Sequence, residues 1–140
     1  MQTGYLVTYK THINAPAAKV WEGLTDPNIV KQYFFGSDQQ TDWREGSPIF
    51  WKGEYEGKPF TDKGEVLQYE PVHRLSYSYL SSFSGLEDKP ENYLVVTYEL
   101  FEDNDGTRLE ITQSNYDEEK AAHCEENWRM VTDGLKKIIE

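Results

Sequence analysis

Cysteine and histidine are scarce in this sequence, and the shortage of each excludes a class of site. The single cysteine among 140 residues, Cys124, leaves no internal disulfide and no multi-cysteine zinc site. The three histidines, His12, His73 and His123, show no metal-ligand spacing with one another or with the cysteine. We therefore predict neither a metal site nor a cofactor.

Basic residues are also few, because 14 Lys and Arg stand against 25 Asp and Glu, a net charge of −11. Phosphate binding needs clustered cations, so we expect no nucleic-acid partner. No stretch approaches the roughly 18 apolar residues of a membrane-spanning helix, which argues against integral membrane association. The low cysteine content favours a reducing setting. The expectation is a cytoplasmic monomer or weak dimer.

The acidic residues concentrate in one segment of the chain. Residues 99–126 contain ten acidic and two basic residues, a net charge of −8. One interpretation is a solvated face on the last hairpin and on the start of the last helix. The alternative is a docking surface for a basic partner.

Catalytic arrangements are missing as well. The sequence has no Gly-x-Ser-x-Gly elbow and no Gly-rich phosphate loop. Cys124 falls on the apolar face of a predicted helix, where burial raises a thiol pKa instead of activating the thiol. Paired carboxylates such as Glu54 and Glu56 have the spacing of exposed charges, from which acid–base catalysis does not follow. No catalytic residue is predicted, and whether the protein is an enzyme stays open.

Hydrophobic patterning predicts one α+β domain over residues 1–140. The predicted strands are 5–13, 49–52, 63–70, 74–80, 93–101 and 107–113, and the predicted helices are 16–24, 27–32 and 117–139. Short turns between consecutive strands imply an antiparallel sheet, and the long last helix is available to cover one face of it. Its predicted apolar face consists of Cys124, Trp128, Val131, Leu135 and Ile138.

Aromatic residues make up 14% of the chain and point to a pocket. Buried tyrosine hydroxyls need hydrogen-bond partners, so Tyr77, Tyr79 and Tyr98 beside Gln113 would give an apolar cavity with a few polar handles. The predicted ligand-binding residues are Phe35, Trp51, Tyr69, Tyr77, Tyr79, Tyr98, Gln113, Trp128 and Val131. The alternative is that the aromatic rings only fill the core.

Two placements stay open at this stage. In strand 49–52, Ile49 and Trp51 share one face and Phe50 lies on the other, and the pattern does not decide which face is internal. Trp128 is predicted either to form part of a cavity wall or to act as the main core anchor.

Five motifs follow one another in order along nearly the whole chain. They are residues 13–21 with 24–27, residues 42–48, residues 64–66 with Pro71 and 74–77, residues 98–100 with 106–109, and residues 127–128 with 134–136. Together they resemble the START-like (SRPBCC, helix-grip) superfamily. The closer resemblance is to the branch related to the C-terminal domain of the activator of Hsp90 ATPase (AHSA1-like). It implies a curved antiparallel sheet wrapped around a long C-terminal helix, with two short helices after the first strand.

The same resemblance implies three alternative functions. The first is binding of a small hydrophobic ligand, lipid-like or aromatic, between the sheet and the C-terminal helix. The second is an Hsp90-activator-like interaction module in stress response, with a chaperone as partner, although the separate N-terminal domain that activators use to hold the chaperone has no counterpart here. The third is a cyclase or hydrolase acting on a bound aromatic compound.

Overall fold

The structure is a computed structural model that describes residues 5–34, 36–82 and 85–140. Its strands are β1 (Val7–Ile13), β2 (Asp38–Gln40), β3 (Pro48–Tyr55), β4 (Lys58–Glu70), β5 (Arg74–Tyr79), β6 (Leu94–Asp103) and β7 (Gly106–Gln113). Its helices are α1 (Ala17–Thr25), α2 (Pro27–Tyr33) and α3 (Glu118–Ile139), with one 3-10 turn at Pro90–Asn92. None of these helices is long and apolar enough to cross a membrane.

The seven strands form one antiparallel sheet in the order β1-β7-β6-β5-β4-β3-β2. Alternate residues along the strands are buried beneath the helices, as in β6, where Leu94, Val96, Tyr98 and Leu100 are buried. The predicted α+β fold, a curved antiparallel sheet with a long C-terminal helix and two short helices after the first strand, is confirmed.

The long strand β4 makes the sheet bend. Its first part pairs with β3, its last part pairs with β5, and the register shifts between Val66 and Gln68. At Gly64 a Cβ atom would lie 1.7 Å from the backbone oxygen of Ser78, so only glycine allows β4 to approach β5 this closely. A register shift of this kind bends the strand in which it occurs.

Helix α3 begins with a capped turn and buries one face against the sheet. The Asp117 carboxylate accepts a hydrogen bond of 2.8 Å from the Lys120 amide, which satisfies a free donor at the helix start. Cys124, Trp128, Val131 and Leu135 are buried, as predicted. The last buried position is Ile139, whereas the sequence pattern predicted Ile138, which is only partly buried. A period of 3.6 residues places the residue four after Leu135 on the buried face.

Strand β2 was not predicted, because three polar residues carry no hydrophobic alternation. It pairs with β3, and its central residue, Gln39, is buried and accepts a hydrogen bond of 2.9 Å from the Trp51 indole. Strand β3 is longer than predicted and places Ile49 and Trp51 in the core, with Phe50 half-buried. The open question of which face of this strand is internal is thereby resolved.

Candidate functional site

A cavity of about 570 Å³ lies between α3 and the strands β5, β6 and β7. We call it the main cavity. It is lined by Phe34, Tyr77, Tyr79, Leu94, Val96, Gln113, Asn115, Tyr116, Glu119, Lys120, His123, Cys124, Asn127, Trp128, Met130 and Val131. Apolar and aromatic side chains form its interior, and the exposed polar residues of α3 stand at its mouth.

The strand period positions the wall of the main cavity. Tyr77 and Tyr79 are two residues apart on β5, and Leu94 and Val96 are two apart on the neighbouring β6, so all four point to the same side of the sheet. Direct pairing of Tyr77 with Val96 brings the two strands into register here.

A chain of amide contacts fixes the polar side chains at one end of the cavity. The Trp128 indole donates a hydrogen bond of 2.8 Å to the Gln113 side-chain oxygen. The Gln113 amide nitrogen donates to the Asn115 oxygen at 3.2 Å, and the Asn115 nitrogen donates to the Tyr5 carbonyl at 3.1 Å. These contacts connect α3, the end of β7 and the chain before β1, so the wall is held from three sides.

The tyrosine hydroxyls of the site are hydrogen-bonded within the protein. Those of Tyr77 and Tyr98 lie 2.9 Å apart, the Tyr79 hydroxyl donates to the Asp62 carboxylate, and the Tyr116 hydroxyl donates to the Asn92 carbonyl at 2.7 Å. Burial raises the pKa of Tyr77 and of Tyr98, and burial followed by the hydrogen bond to Asp62 raises that of Tyr79. All three phenols are therefore protonated at neutral pH.

Cys124 belongs to the cavity wall but is not an activated nucleophile. Burial raises the pKa of its thiol, an effect that hydrogen bonds with Asn115 and Trp128 only partly oppose. Across residues 5–34, 36–82 and 85–140, no group of three or more His, Cys, Asp and Glu side chains is placed to hold a metal ion.

A second cavity of about 560 Å³ lies against the β3–β4 hairpin and shares Phe34 and Tyr79 with the main cavity. It is lined by Phe34, Ser37, Trp51, Glu54, Glu56, Lys58, Phe60, Asp62, Tyr79 and Ser81. The buried Asp62 carboxylate accepts from the Tyr79 hydroxyl and from the Ser82 amide, the latter at 2.8 Å. Tyr79 therefore forms part of the partition between the two cavities.

Five of the nine predicted ligand-binding residues line the main cavity. They are Tyr77, Tyr79, Gln113, Trp128 and Val131. Tyr98 does not line the cavity: its ring lies behind that of Tyr77, with centroids 5.8 Å apart, and its hydroxyl is hydrogen-bonded to the Tyr77 hydroxyl.

The other three predicted residues lie elsewhere or are not described. Trp51 is buried, lines the second cavity and packs on Tyr77 at a centroid distance of 4.9 Å. Tyr69 lies apart from both cavities, stacked on Trp43 at 5.6 Å and packed against Trp21 at 5.5 Å. Phe35 lies outside the described residues.

Sequence reasoning omitted several wall residues. Leu94 and Val96 share the buried side of β6 with Tyr98, so the alternation that identified Tyr98 was sufficient to include them. Asn115 and Tyr116 lie between β7 and α3, where no periodicity indicates which way a side chain points. Phe34 follows the last residue of α2, and no sequence pattern indicated that its side chain lines the cavity.

Comparison with solved structures finds close matches to the whole fold. The solution structure of ChR145 from Cytophaga hutchinsonii is 45% identical, with 99% of this chain and 95% of that chain covered and a TM-score of 0.84. CalU16 from Micromonospora echinospora is 28% identical, with 93% and 73% covered and a TM-score of 0.73. The Aha1 dimer from Colwellia psychrerythraea is 21% identical, with 96% of each chain covered and a TM-score of 0.74, which shows a shared fold.

A comparison with curated protein sequences gives no match. The family model described as activator of Hsp90 ATPase homolog 1-like protein matches residues 14–140, which is nearly the whole chain and includes every strand from β2 onward and all three helices. The resemblance that the five sequence motifs indicated is therefore confirmed, and the chain belongs to the AHSA1-like family.

Proposed function

We propose that this protein binds a small, largely hydrophobic ligand, lipid-like or aromatic, in the main cavity. The observation that carries the proposal is a cavity of about 570 Å³ with an apolar and aromatic interior beneath the C-terminal helix. This volume falls within the range of small-molecule pockets, roughly 300–1,000 Å³. The cavity is partly open to solvent at its mouth, so a ligand can enter it.

The distribution of polar groups supports an apolar ligand. Inside the cavity, the Trp128 indole donates a hydrogen bond to Gln113 and the Tyr79 hydroxyl donates one to Asp62. These two donors therefore need no acceptor group on the ligand. At the mouth, Lys120 and His123 are exposed and can face the more polar end of a bound molecule. We propose Tyr77, Tyr79, Gln113, Trp128 and Val131 as ligand contacts, with Tyr98 positioning Tyr77. Trp51 and Tyr69 then have a packing role and do not contact the ligand.

A matched pair of variants on α3 tests the proposal. Val131→Phe places an added ring in the main cavity, and Ala122→Phe places the same ring on the exposed side of the same helix. Binding of 2-ethylnaphthalene is measured by titration of each protein, followed by backbone amide shifts. We expect Val131→Phe to weaken binding at least about tenfold, a change of about 1.4 kcal/mol, and Ala122→Phe to leave it unchanged.

The stability of Val131→Phe provides a second readout. Overpacking of a filled core costs about 1–3 kcal/mol, whereas a ring that enters an open cavity costs little. Unchanged binding by Val131→Phe, or no binding of the probe by the unmodified protein, would contradict the proposed function.

A second candidate function is a protein-interaction module. The first half of α3 exposes Glu118, Glu119, Glu125 and Glu126, an acidic surface suited to a basic partner. The family and the Aha1 relative make Hsp90 the partner to test. Amide shifts confined to this surface on addition of Hsp90 would favour the second candidate, and shifts confined to the main cavity on addition of the naphthalene would favour the first.

A further inference from the structure

We propose that Tyr77 donates a hydrogen bond into the main cavity, and that the ligand carries a neutral acceptor oxygen, such as a ketone, quinone, ester or ether, at its buried end. The inference rests on the proposed function and specifies the ligand class. It follows from a count of donors and acceptors among the hydroxyl groups of the cavity.

The Tyr77–Tyr98 pair has one more proton than it can use. Each hydroxyl carries one proton, and the single hydrogen bond between them, at 2.9 Å, uses one of the two. Within the described part of the chain neither hydroxyl makes any other hydrogen bond. Both side chains are buried, with 2% of Tyr77 and 6% of Tyr98 exposed. A buried donor without an acceptor is destabilising, so the second proton needs a partner.

Position decides which of the two hydroxyls holds the spare proton. Tyr77 lines the main cavity, and Tyr98 lies behind it between Tyr77 and Trp128. If Tyr77 donated to Tyr98, the proton of Tyr98 would be left away from the cavity without an acceptor. If Tyr98 donates to Tyr77, the proton of Tyr77 is free to point into the cavity. The second arrangement satisfies both hydroxyls once an acceptor oxygen is bound.

The other phenol and indole donors of the wall are already engaged. The Trp128 indole donates to Gln113, the Tyr79 hydroxyl to Asp62, and the Tyr116 hydroxyl to the Asn92 carbonyl. Among the phenol and indole donors of the described wall, Tyr77 is therefore the one that retains a proton for a ligand. Since no Lys or Arg lines the interior beyond Lys120 at the mouth, a buried carboxylate would lack a counter-charge, and the acceptor must be neutral.

The test compares two probes that differ in one group. In 2-acetylnaphthalene a carbonyl replaces the first methylene of the ethyl group of 2-ethylnaphthalene. The dissociation constants of both are measured for the unmodified protein, for Tyr77→Phe and for the matched control Tyr69→Phe, which removes a tyrosine hydroxyl apart from both cavities. For each protein we take the ratio of the two dissociation constants and compare this ratio between proteins. The difference in water solubility between the probes affects every ratio equally and therefore cancels.

We expect Tyr77→Phe to reduce the preference for the acetyl probe about tenfold relative to the unmodified protein, and Tyr69→Phe to change it less than about twofold. An unchanged preference in Tyr77→Phe, with both probes still bound, would overturn this inference and leave the proposed function intact. An equal reduction in both variants would also overturn it. Failure of the unmodified protein to bind either probe would overturn both. Thermal melting of each variant confirms that it is folded.

Discussion

Trp128 is the residue at which the cavity and the core meet. Its indole lines the main cavity, donates to Gln113 and packs at centroid distances of 5.8 Å from Tyr98 and 6.4 Å from Phe34. We expect Trp128→Ala to lower the free energy of unfolding by about 3–5 kcal/mol, because a large buried side chain is lost. Urea denaturation measures this cost.

Trp128→Phe separates the two roles of this residue. Phenylalanine keeps most of the volume but leaves the Gln113 oxygen without its donor, which we expect to cost about 1 kcal/mol of stability. Because the indole is part of the wall, affinity for 2-ethylnaphthalene should change about tenfold. A clear loss of stability with unchanged affinity would show that Trp128 is only a core anchor.

At the residue scale, the sequence was informative where the alternation of a strand determined which side of the sheet a side chain faces. Alternation predicted that Tyr77, Tyr79 and Tyr98 point inward, and all three face the helix side of the sheet. It could not separate Tyr98, one layer behind the wall, from Tyr77 within it, because both lie on the same face. Tyr69 was included on aromatic character alone, and its stacking on Trp43 depends on long-range geometry that no local pattern encodes.

At the scale of elements, the close approach of β4 to β5 depends on Gly64. We expect Gly64→Ala to destabilise the protein by at least about 2 kcal/mol, because the added methyl group would overlap the Ser78 carbonyl. Glu65→Ala is the matched control, since Glu65 is exposed on the same strand. Equal urea midpoints for the two variants would show that β4 tolerates a side chain at Gly64.

Elements with strong periodicity were predicted nearly to their ends, and the others were not. Helix α3 and the hairpin β6–β7 have long amphipathic patterns and a clear turn between the strands, and their observed bounds lie within two residues of those predicted. Strand β2 depends on pairing with β3 and on the buried bond between Gln39 and Trp51. A polar residue buried through a partner twelve positions away leaves no trace in a hydrophobicity pattern.

At the scale of the whole molecule, the buried tyrosines predict sensitivity to alkaline pH. Burial raises the pKa values of Tyr33, Tyr77, Tyr79 and Tyr98 above the ordinary value of 10.0. Above pH 10 the unfolded chain loses protons that the folded chain retains, so the free energy of unfolding falls as pH rises. Each retained proton contributes up to about 1.4 kcal/mol per pH unit.

Two measurements check this pH dependence. Urea denaturation should show that the free energy of unfolding falls steeply between pH 10 and 11. Below pH 10 the contribution of these tyrosines to the free energy of unfolding should be fully present. Absorbance of tyrosinate should show a group of tyrosines that ionises only when the protein unfolds. Ionisation of every tyrosine near pH 10 in the folded state would contradict the burial of these hydroxyls.

The central claim is that the space beneath α3 is a ligand-binding cavity, and a probe titration followed by amide chemical shifts tests it most directly. 2-Ethylnaphthalene is added to the isotopically labelled full chain, and the shift of each backbone amide is recorded. We predict saturable shifts that cluster at Tyr77, Val96, Gln113, Trp128 and Val131, which line the main cavity. No saturable shifts, or shifts confined to exposed residues outside this lining, would contradict the claim.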